Sequence, residues 1–526
     1  MAEVEPRMLP TTGRIRIYTD ETEVTEENVT KILSDAMFFH LKNAADETYL
    51  INYKHGIQPI LDRVKPIRSD INNKVVENNA SKIVDVHLGY DFANPLTFTQ
   101  RAKTEADRKE SAEKDDEGVS LLNKMMAKVR KAKKDLDLGE YLLTVGVGYQ
   151  MVLPSRDNDF YSPFELMTLN PQTSFVVYSN DAYREPMLGV TYFVHEDGTY
   201  TYTAYSRKNI FRVDKGVGVG DFGNPVVLDN PLGMIPIVEF ELTDRMGVFE
   251  KAIPILDAIN LINSDRINDE NQHVQSILWL HNCEIDTDTK KQLIDGDGVI
   301  MTRNNDGKQA NIEYLSQTLD QSQIQTLVDY YQDQALQITS TPSWNENPGG
   351  STSGAVMLSN GWQALELSAK VIEIQFYGAE MELLELVKRI VEKDSARDYI
   401  EPLKNLNPED IEIKFPRNKT YDLTTKTTAL TALLNAGVDG LTAFNTVSLF
   451  TDAQQAYMDS KKIIDGMQKK LIAEPNEPAN NGNGSTNLIP GAGAAVDENG
   501  NGGINNKEKT DEQKTTAPAK VKNVQE

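Results

Sequence analysis

The chain has one cysteine, Cys283, in 526 residues, so no disulfide can close within it, which is compatible with a reducing compartment. No apolar run approaches the ~18 residues that a membrane-spanning helix needs. The first residues, MAEVEPRMLPTTG, lack the apolar segment of a secretory signal. Positive charge is scarce: 54 Lys and Arg stand against 79 Asp and Glu, a net charge of -25. That balance disfavours an ordinary nucleic-acid binder, which displaces counterions with basic patches, and disfavours docking on an anionic membrane. Catalytic signatures are also missing. There is no GxxxxGK[ST], no HExxH, no GxSxG and no Cys/His pair at zinc spacing, and the six histidines are scattered. Neither catalysis nor a cofactor is expected. A calcium-like start at Asp286 and Asp288 is followed by Lys290 and Lys291 with no glycine in mid-loop, so no metal site is expected.

What is present is an ordinary globular composition, 39% apolar and 25% charged, in a chain long enough for about three domains. The most telling stretch is 318–391. Leu319–Ile338 and Ala355–Val391 carry helical apolar periodicity, with Gly361 and Gly378 as expected kink points. Between them, TSTPSWNENPGGSTSG (339–354) holds Pro342, Pro348, Gly349 and Gly350, which forbid a continuous helix.

Upstream, residues 1–24 read as an extended acidic arm. Thr25 is a candidate N-cap for a helix through about Leu50, and Val75–Val84 suit a short helix ended by Gly89-Tyr90. Residues 101–118 are almost wholly polar and read as a solvated loop. A helix is expected over 119–138, with Lys124, Lys128, Lys131, Lys133 and Lys134 forming the chain's only basic cluster. A solvated face is the plain reading, nucleic-acid contact the alternative. From Tyr141 to Phe240, β-branched and aromatic runs with Asn/Asp/Gly turns predict an antiparallel sheet. The GxGxxG at 218–223 is followed by Asn224-Pro225 and another strand, so it reads as a hairpin loop and not a dinucleotide site.

A helix is expected over Phe249–Leu278. It carries Ile255, Ile259 and Ile262 on one side and a stripe of Asp257, Asn260, Ser264, Asn268 and Asn271 on the other. Bulk solvent favours Lys and Glu, so the stripe is read as facing a polar partner or a wet cavity. Short strands follow to 317. A strand at Ile411–Pro416, helices at Thr425–Ala436, Thr442–Leu449 and Gln454–Lys470, and a disordered Asn/Gly-rich tail from about Ala473 complete the expectation. The fold class is α+β.

Four blocks carry a family resemblance. One runs from Tyr53, Gly56, Ile60 and Arg63 through Asn72–Val76, Asn78–Ala80, Ile83-Val84 and Gly89-Tyr90. The others are Asn230–Phe240, then Phe249-Glu250 with Leu256–Asn260, Ser264-Asp265 and Asn268-Asp269, and finally Ser353–Leu358. In order and spacing they resemble the portal proteins of tailed bacteriophages, in the family typified by the portal of a Bacillus siphophage. Ala355-Val356 after Gly354 departs from the family's usual Gly-Val-Ala, and residues 101–118 and the tail have no counterpart.

The resemblance implies a portal fold. It comprises a mixed α/β wing (25–248), stem helices (249–278 and 318–338), a small clip (279–317), a tunnel loop (339–354), a long kinked wing helix (355–400), a helical crown (401–472) and a tail (473–526). It further implies a homo-oligomeric ring of about twelve subunits at the capsid vertex of the virion, assembled in the host cytoplasm. Double-stranded DNA would pass through its channel, both when packaged and when ejected. Implied partners are the terminase large subunit, a head-completion or adaptor protein, and the major capsid and scaffolding proteins. The DNA-facing candidates are Ser340, Ser343, Trp344, Asn345, Glu346, Asn347, Ser351, Thr352 and Ser353. The stripe from Asp257 to Asn271 would lie along the lumen or against a neighbouring subunit. An intracellular scaffold or adaptor without a DNA channel, and an enzyme with an unrecognised site, are the rival readings.

Overall fold

Helix α1 (Val29–Lys54) buries Val29, Ile32, Leu33, Ala36 and Met37, while Leu41, at the same helical spacing, is exposed. Its cap differs from the expectation. The helix proper begins after Asn28, whose side chain caps no helix N–H but reaches back to accept the N–H of Thr25 at 2.8 Å, one half of a capping box. The computed structural model describes residues 13–66, 69–100, 112–156, 161–217, 222–274, 277–281, 311–315, 321–343, 361–395, 397–417, 423–447, 449–450, 456–457 and 460–461. All of them fall in one unit, Met1–Gln468.

Helix α2 (Asn79–Asp91) starts later than expected, after Asn78 at the left-handed φ of 48°, and runs through Gly89-Tyr90; residues 72–78 belong to no helix or strand. The expected helix 119–138 is two helices, α3 (Ala112–Lys128) and α4 (Lys131–Val145), broken where Arg130 takes the left-handed φ of 58°. α3 thus takes up the end of the polar run read as a solvated loop, and 101–111 lies outside the described residues. The break accompanies an inward turn of Lys131, whose ammonium is shared by Asp135 (2.8 Å) and Glu380 (3.0 Å) in the core. Tyr141–Val145 is helical and not part of a strand. Gly146 (φ 83°) ends α4 where a Cβ would stand 2.4 Å from the Arg245 carbonyl carbon, so only glycine fits.

The strands form two main sheets. In one, Ser174–Ser179, Pro186–Val194, Tyr200–Tyr205, Asn209–Lys215 and Val226–Asp229 make an antiparallel meander. Ile17–Thr19 adds to it in parallel, with Ile17 opposite Val177. In the other, Val147–Pro154 lies between Ile237–Glu241 and Phe164–Leu169. The bridge from Lys215 to Phe222 supports the hairpin reading of the glycine motif, whose residues 218–221 lie outside the described set. A small pair, Thr97–Gln100 with Ile411–Lys414, joins segments some three hundred residues apart.

Helix α5 (Ile253–Val274) ends before the expected Leu278. Ile277 and Leu278 instead begin the strand Ile277–His281, which pairs antiparallel with Asn311–Leu315. Helices α6 (Gln321–Ile338) and α7 (Trp362–Lys393) follow. Gly361 (φ 80°) is the N-cap of α7 and not a kink, while Gly378 lies within the helix. The short α8 (Glu401–Lys404) precedes α9 (Leu423–Asn435) and α10 (Gly440–Val447), the last opening two residues before the expected Thr442. The expected helix 454–470 and the tail fall almost wholly outside the described residues.

The inner face of α7 organises the largest core. Phe376 packs on Phe240 (ring centroids 4.7 Å), Phe92 (5.6 Å) and Phe415 (5.9 Å), joining α2, the three-stranded sheet and the segment after Ile411–Lys414. Buried aromatic contacts of this kind dominate core energetics.

Candidate functional site

The polar stripe of α5 finds its polar partner within the chain. Asn260, Ser264 and Asn268, four residues apart, are all buried. Asn260 Oδ1 accepts the N–H of Glu77 (2.9 Å), Ser264 Oγ that of Val75 (2.9 Å), and Asn268 Oδ1 that of Asn73 (2.7 Å). The periods match. Four helical residues rise ~6 Å, and two extended residues advance ~6.6 Å. Alternate N–H groups of an extended segment therefore meet one helix face, running antiparallel to it. This corrects the expectation that these three residues face a lumen or a neighbouring subunit: their polar groups satisfy the chain's own backbone. Asp257 accepts from Tyr53 Oη at 2.8 Å, and its carboxyl is pushed up by burial against the lowering effect of that bond. Asn271 alone of the five is exposed.

α5 and α6 lie side by side. Arg266 forks to Gln321 and Gln325 of α6, each at 2.6 Å, and Gln332 of α6 donates to Glu77 in the clamped segment. The helix pair and the extended segment therefore form one hydrogen-bonded block.

α6 ends in a turn built to release the chain sharply. Thr341 N–H returns to Leu336 O (2.8 Å) and Ser340 N–H to Gln337 O (3.2 Å), with Ser340 at φ 54°. This is a Schellman C-cap with serine in the position usually held by glycine. His87, fully buried in α2, holds the turn. Its Nε2 faces the Thr339 carbonyl at 2.9 Å and so carries the proton there, and Thr341 Oγ1 lies 3.4 Å away. Burial lowers the His87 pKa. The other end of the connection returns to the same place: a Cβ on Gly361 would sit 3.5 Å from Pro342 Cα. Pro342 and Gly361, which flank the undescribed residues, therefore lie side by side.

Of the loop residues singled out from the sequence, Ser340 lies in the cap and Ser343 just beyond it. Trp344, Asn345, Glu346, Asn347, Ser351, Thr352 and Ser353 lie outside the described residues. Sequence reasoning missed His87, Thr339 and Thr341, and the only local signal for the clamped segment is its run of asparagines. Beside the loop base, Arg417 pairs with Glu366 (3.1 Å) and Glu373 of α7. Asp91 nearby is pushed up to about 7 by burial, and further by Glu373 and Glu366, against the pull of Arg417.

Among the described residues no group of His, Cys, Asp or Glu could hold a metal ion, and no helix is long and apolar enough to cross a membrane. Residues 39–470 match the family model described as phage portal protein, SPP1 Gp6-like. The chain belongs to this family of phage portal proteins. The match covers well over half of the 526 residues and takes in α2 to α10. All four resembling blocks, the clamped segment and the neighbouring Pro342 and Gly361 of this portal-family chain fall inside it. A comparison with curated proteins finds no match.

Proposed function

We propose that the chain assembles into a closed ring of copies of itself, on the order of twelve, at a capsid vertex, and that duplex DNA passes through the ring during packaging and ejection. The observation that carries this reading is an exposed apolar face on α7. Its inner face is core, yet Leu367, Val371 and Ile374 on the outer face are 58%, 50% and 75% exposed. Their spacing of four then three residues is that of a helix-pairing seam. Apolar stripes of this kind mark interaction surfaces. A ring closes through two unlike patches on each subunit, and α1 offers a second one at Phe38 and Leu41, 59% and 53% exposed.

In this reading α5 and α6 form the stem, the strand pair Ile277–His281 and Asn311–Leu315 begins the clip that meets terminase and head-completion proteins, and the loop between Pro342 and Gly361 is the tunnel loop. The role is mechanical and not catalytic. The acidic charge suits it, because basic phosphate contacts would brake sliding DNA. The test is the molar mass by light scattering of the purified chain and of a Val371→Asp/Ile374→Asp variant. The parent should have the mass of a ring and the variant that of smaller species with unchanged circular dichroism. Equal masses would overturn the role given to the seam.

A further inference from the structure

Lys131, at the start of α4, holds two carboxylates at once: Asp135 of its own helix at 2.8 Å and Glu380 of α7 at 3.0 Å. The three side chains are 5%, 6% and 0% exposed. Gln150 of the strand Val147–Pro154, also fully buried, donates its amide to the same Asp135 oxygen at 3.0 Å. Among the described residues, the charges that bear on Glu380 are those of Lys131 and Asp135. Glu382, two residues on, answers to Glu385 and Glu239 instead.

The charges in this cluster do not balance. One ammonium and two ionised carboxylates leave a net negative charge in the core with no second cation to meet it. A carboxyl in that position takes up a proton instead. The hydrogen bonds point the same way. Glu380 Oε1, Asp135 Oδ2 and Gln150 Oε1 are all buried acceptors with no donor among the described residues. A proton on Glu380 turns one of these three acceptors into a donor and makes the triad neutral. Asp135 already accepts from two donors through Oδ1, whereas Glu380 accepts from one, so Glu380 is the carboxyl that takes the proton. Burial raises the Glu380 pKa against the pull of Lys131, and the Asp135 charge raises it further.

We propose that Glu380 is a proton-operated latch between α4 and α7. Protonated, it closes a neutral buried triad; ionised, it places an unpaired negative charge between the two helices and loosens them. The sign follows from the raised pKa. The latch is at full strength below the ordinary carboxyl value of 4.5 and is lost as pH rises through the folded value. α7 also bears Leu367, Val371 and Ile374 on its outer face, so the latch sets how firmly that seam is held. This last consequence alone rests on the ring reading.

The experiment is hydrogen exchange, corrected for its intrinsic pH dependence, on the full chain and on Glu380→Gln over a pH series from 4.5 upward. Glutamine keeps the shape and the acceptor for Lys131 but cannot ionise. Asp91 and Glu47 are raised into the same window, so the ratio of parent to variant isolates Glu380. That ratio, for opening of the turns around Lys131 and Glu380, should climb roughly tenfold per pH unit until the folded carboxyl itself ionises, then level off. Infrared difference spectra of parent minus variant should show the band of a protonated carboxylic acid at the low end of the series and lose it at the high end. An exchange ratio independent of pH, or no such band at any pH, would overturn the proposal. A chain that stays monomeric while the ratio climbs leaves the latch standing and removes only the ring reading.

Discussion

His87 Nε2 lies 2.9 Å from the carbonyl oxygen of Thr339, a residue far along the chain at the end of another helix. That single contact ties α2 to the C-terminus of α6 at the point where the loop leaves. Replacing His87 with Ala orphans a buried carbonyl, at a cost of about 1–3 kcal/mol. Limited proteolysis should then cut between residues 343 and 360 faster than in the parent, with Asn at 87 restoring part of the protection. The sign with pH follows from the lowered pKa. The unfolded chain binds a proton at this histidine below about 6.5 while the buried ring resists it, so the contribution is complete above that value and declines as pH falls towards the folded pKa. An Ala variant whose cleavage rate matches the parent's would remove His87 from the loop base.

The ladder on α5 makes a residue-by-residue statement about amide exchange. The N–H groups of Asn73, Val75 and Glu77 are bound to α5 side chains, whereas those of Lys74 and Val76 are not. Hydrogen exchange should therefore alternate along the segment, slow at 73, 75 and 77 and fast at 74 and 76. Ser264→Ala should lower stability by about 1–3 kcal/mol and speed exchange most at Val75. A uniform exchange rate across the five would contradict the clamp.

Asp91 gives a pH dependence of the opposite sign to His87. Its carboxyl is raised to about 7 from an ordinary 3.8, so the folded chain holds a proton that the unfolded chain releases. Stability from this group is present below the unfolded value and is lost as pH rises through about 7. Asp91→Asn should raise the melting temperature at pH above that window, and the gain should shrink towards the unfolded value. Thermal melts of parent and variant across the window check this, and a gain independent of pH would show that ionisation is not its source.

Much of the fold was legible because its helices are amphipathic and its strands punctuated. The inner face of α7, from Leu365 to Ile390, follows from periodicity alone. What stayed hidden depends on pairing across long separations. The stripe Asn260, Ser264 and Asn268 was visible as unusual, but nothing local says that residues 73–77 lie against it. The helix break at Arg130 escaped because a left-handed arginine carries no signal, where a glycine or proline would have shown it. The strand Thr97–Gln100 is short, and its partner Ile411–Lys414 comes from the far end of the matched region. His87, a lone histidine in a helix, could be told from an ordinary core residue only once the Thr339 carbonyl was seen beside it.

The central claim is that copies of this chain close into a ring around a channel. Class-averaged electron microscopy of the purified chain tests it most directly. Closed rings with a central opening wide enough for duplex DNA, and disassembly of those rings by Val371→Asp/Ile374→Asp, are the expected result. A chain that remains monomeric across salt and pH, and also in the presence of its capsid and scaffolding proteins, would contradict it.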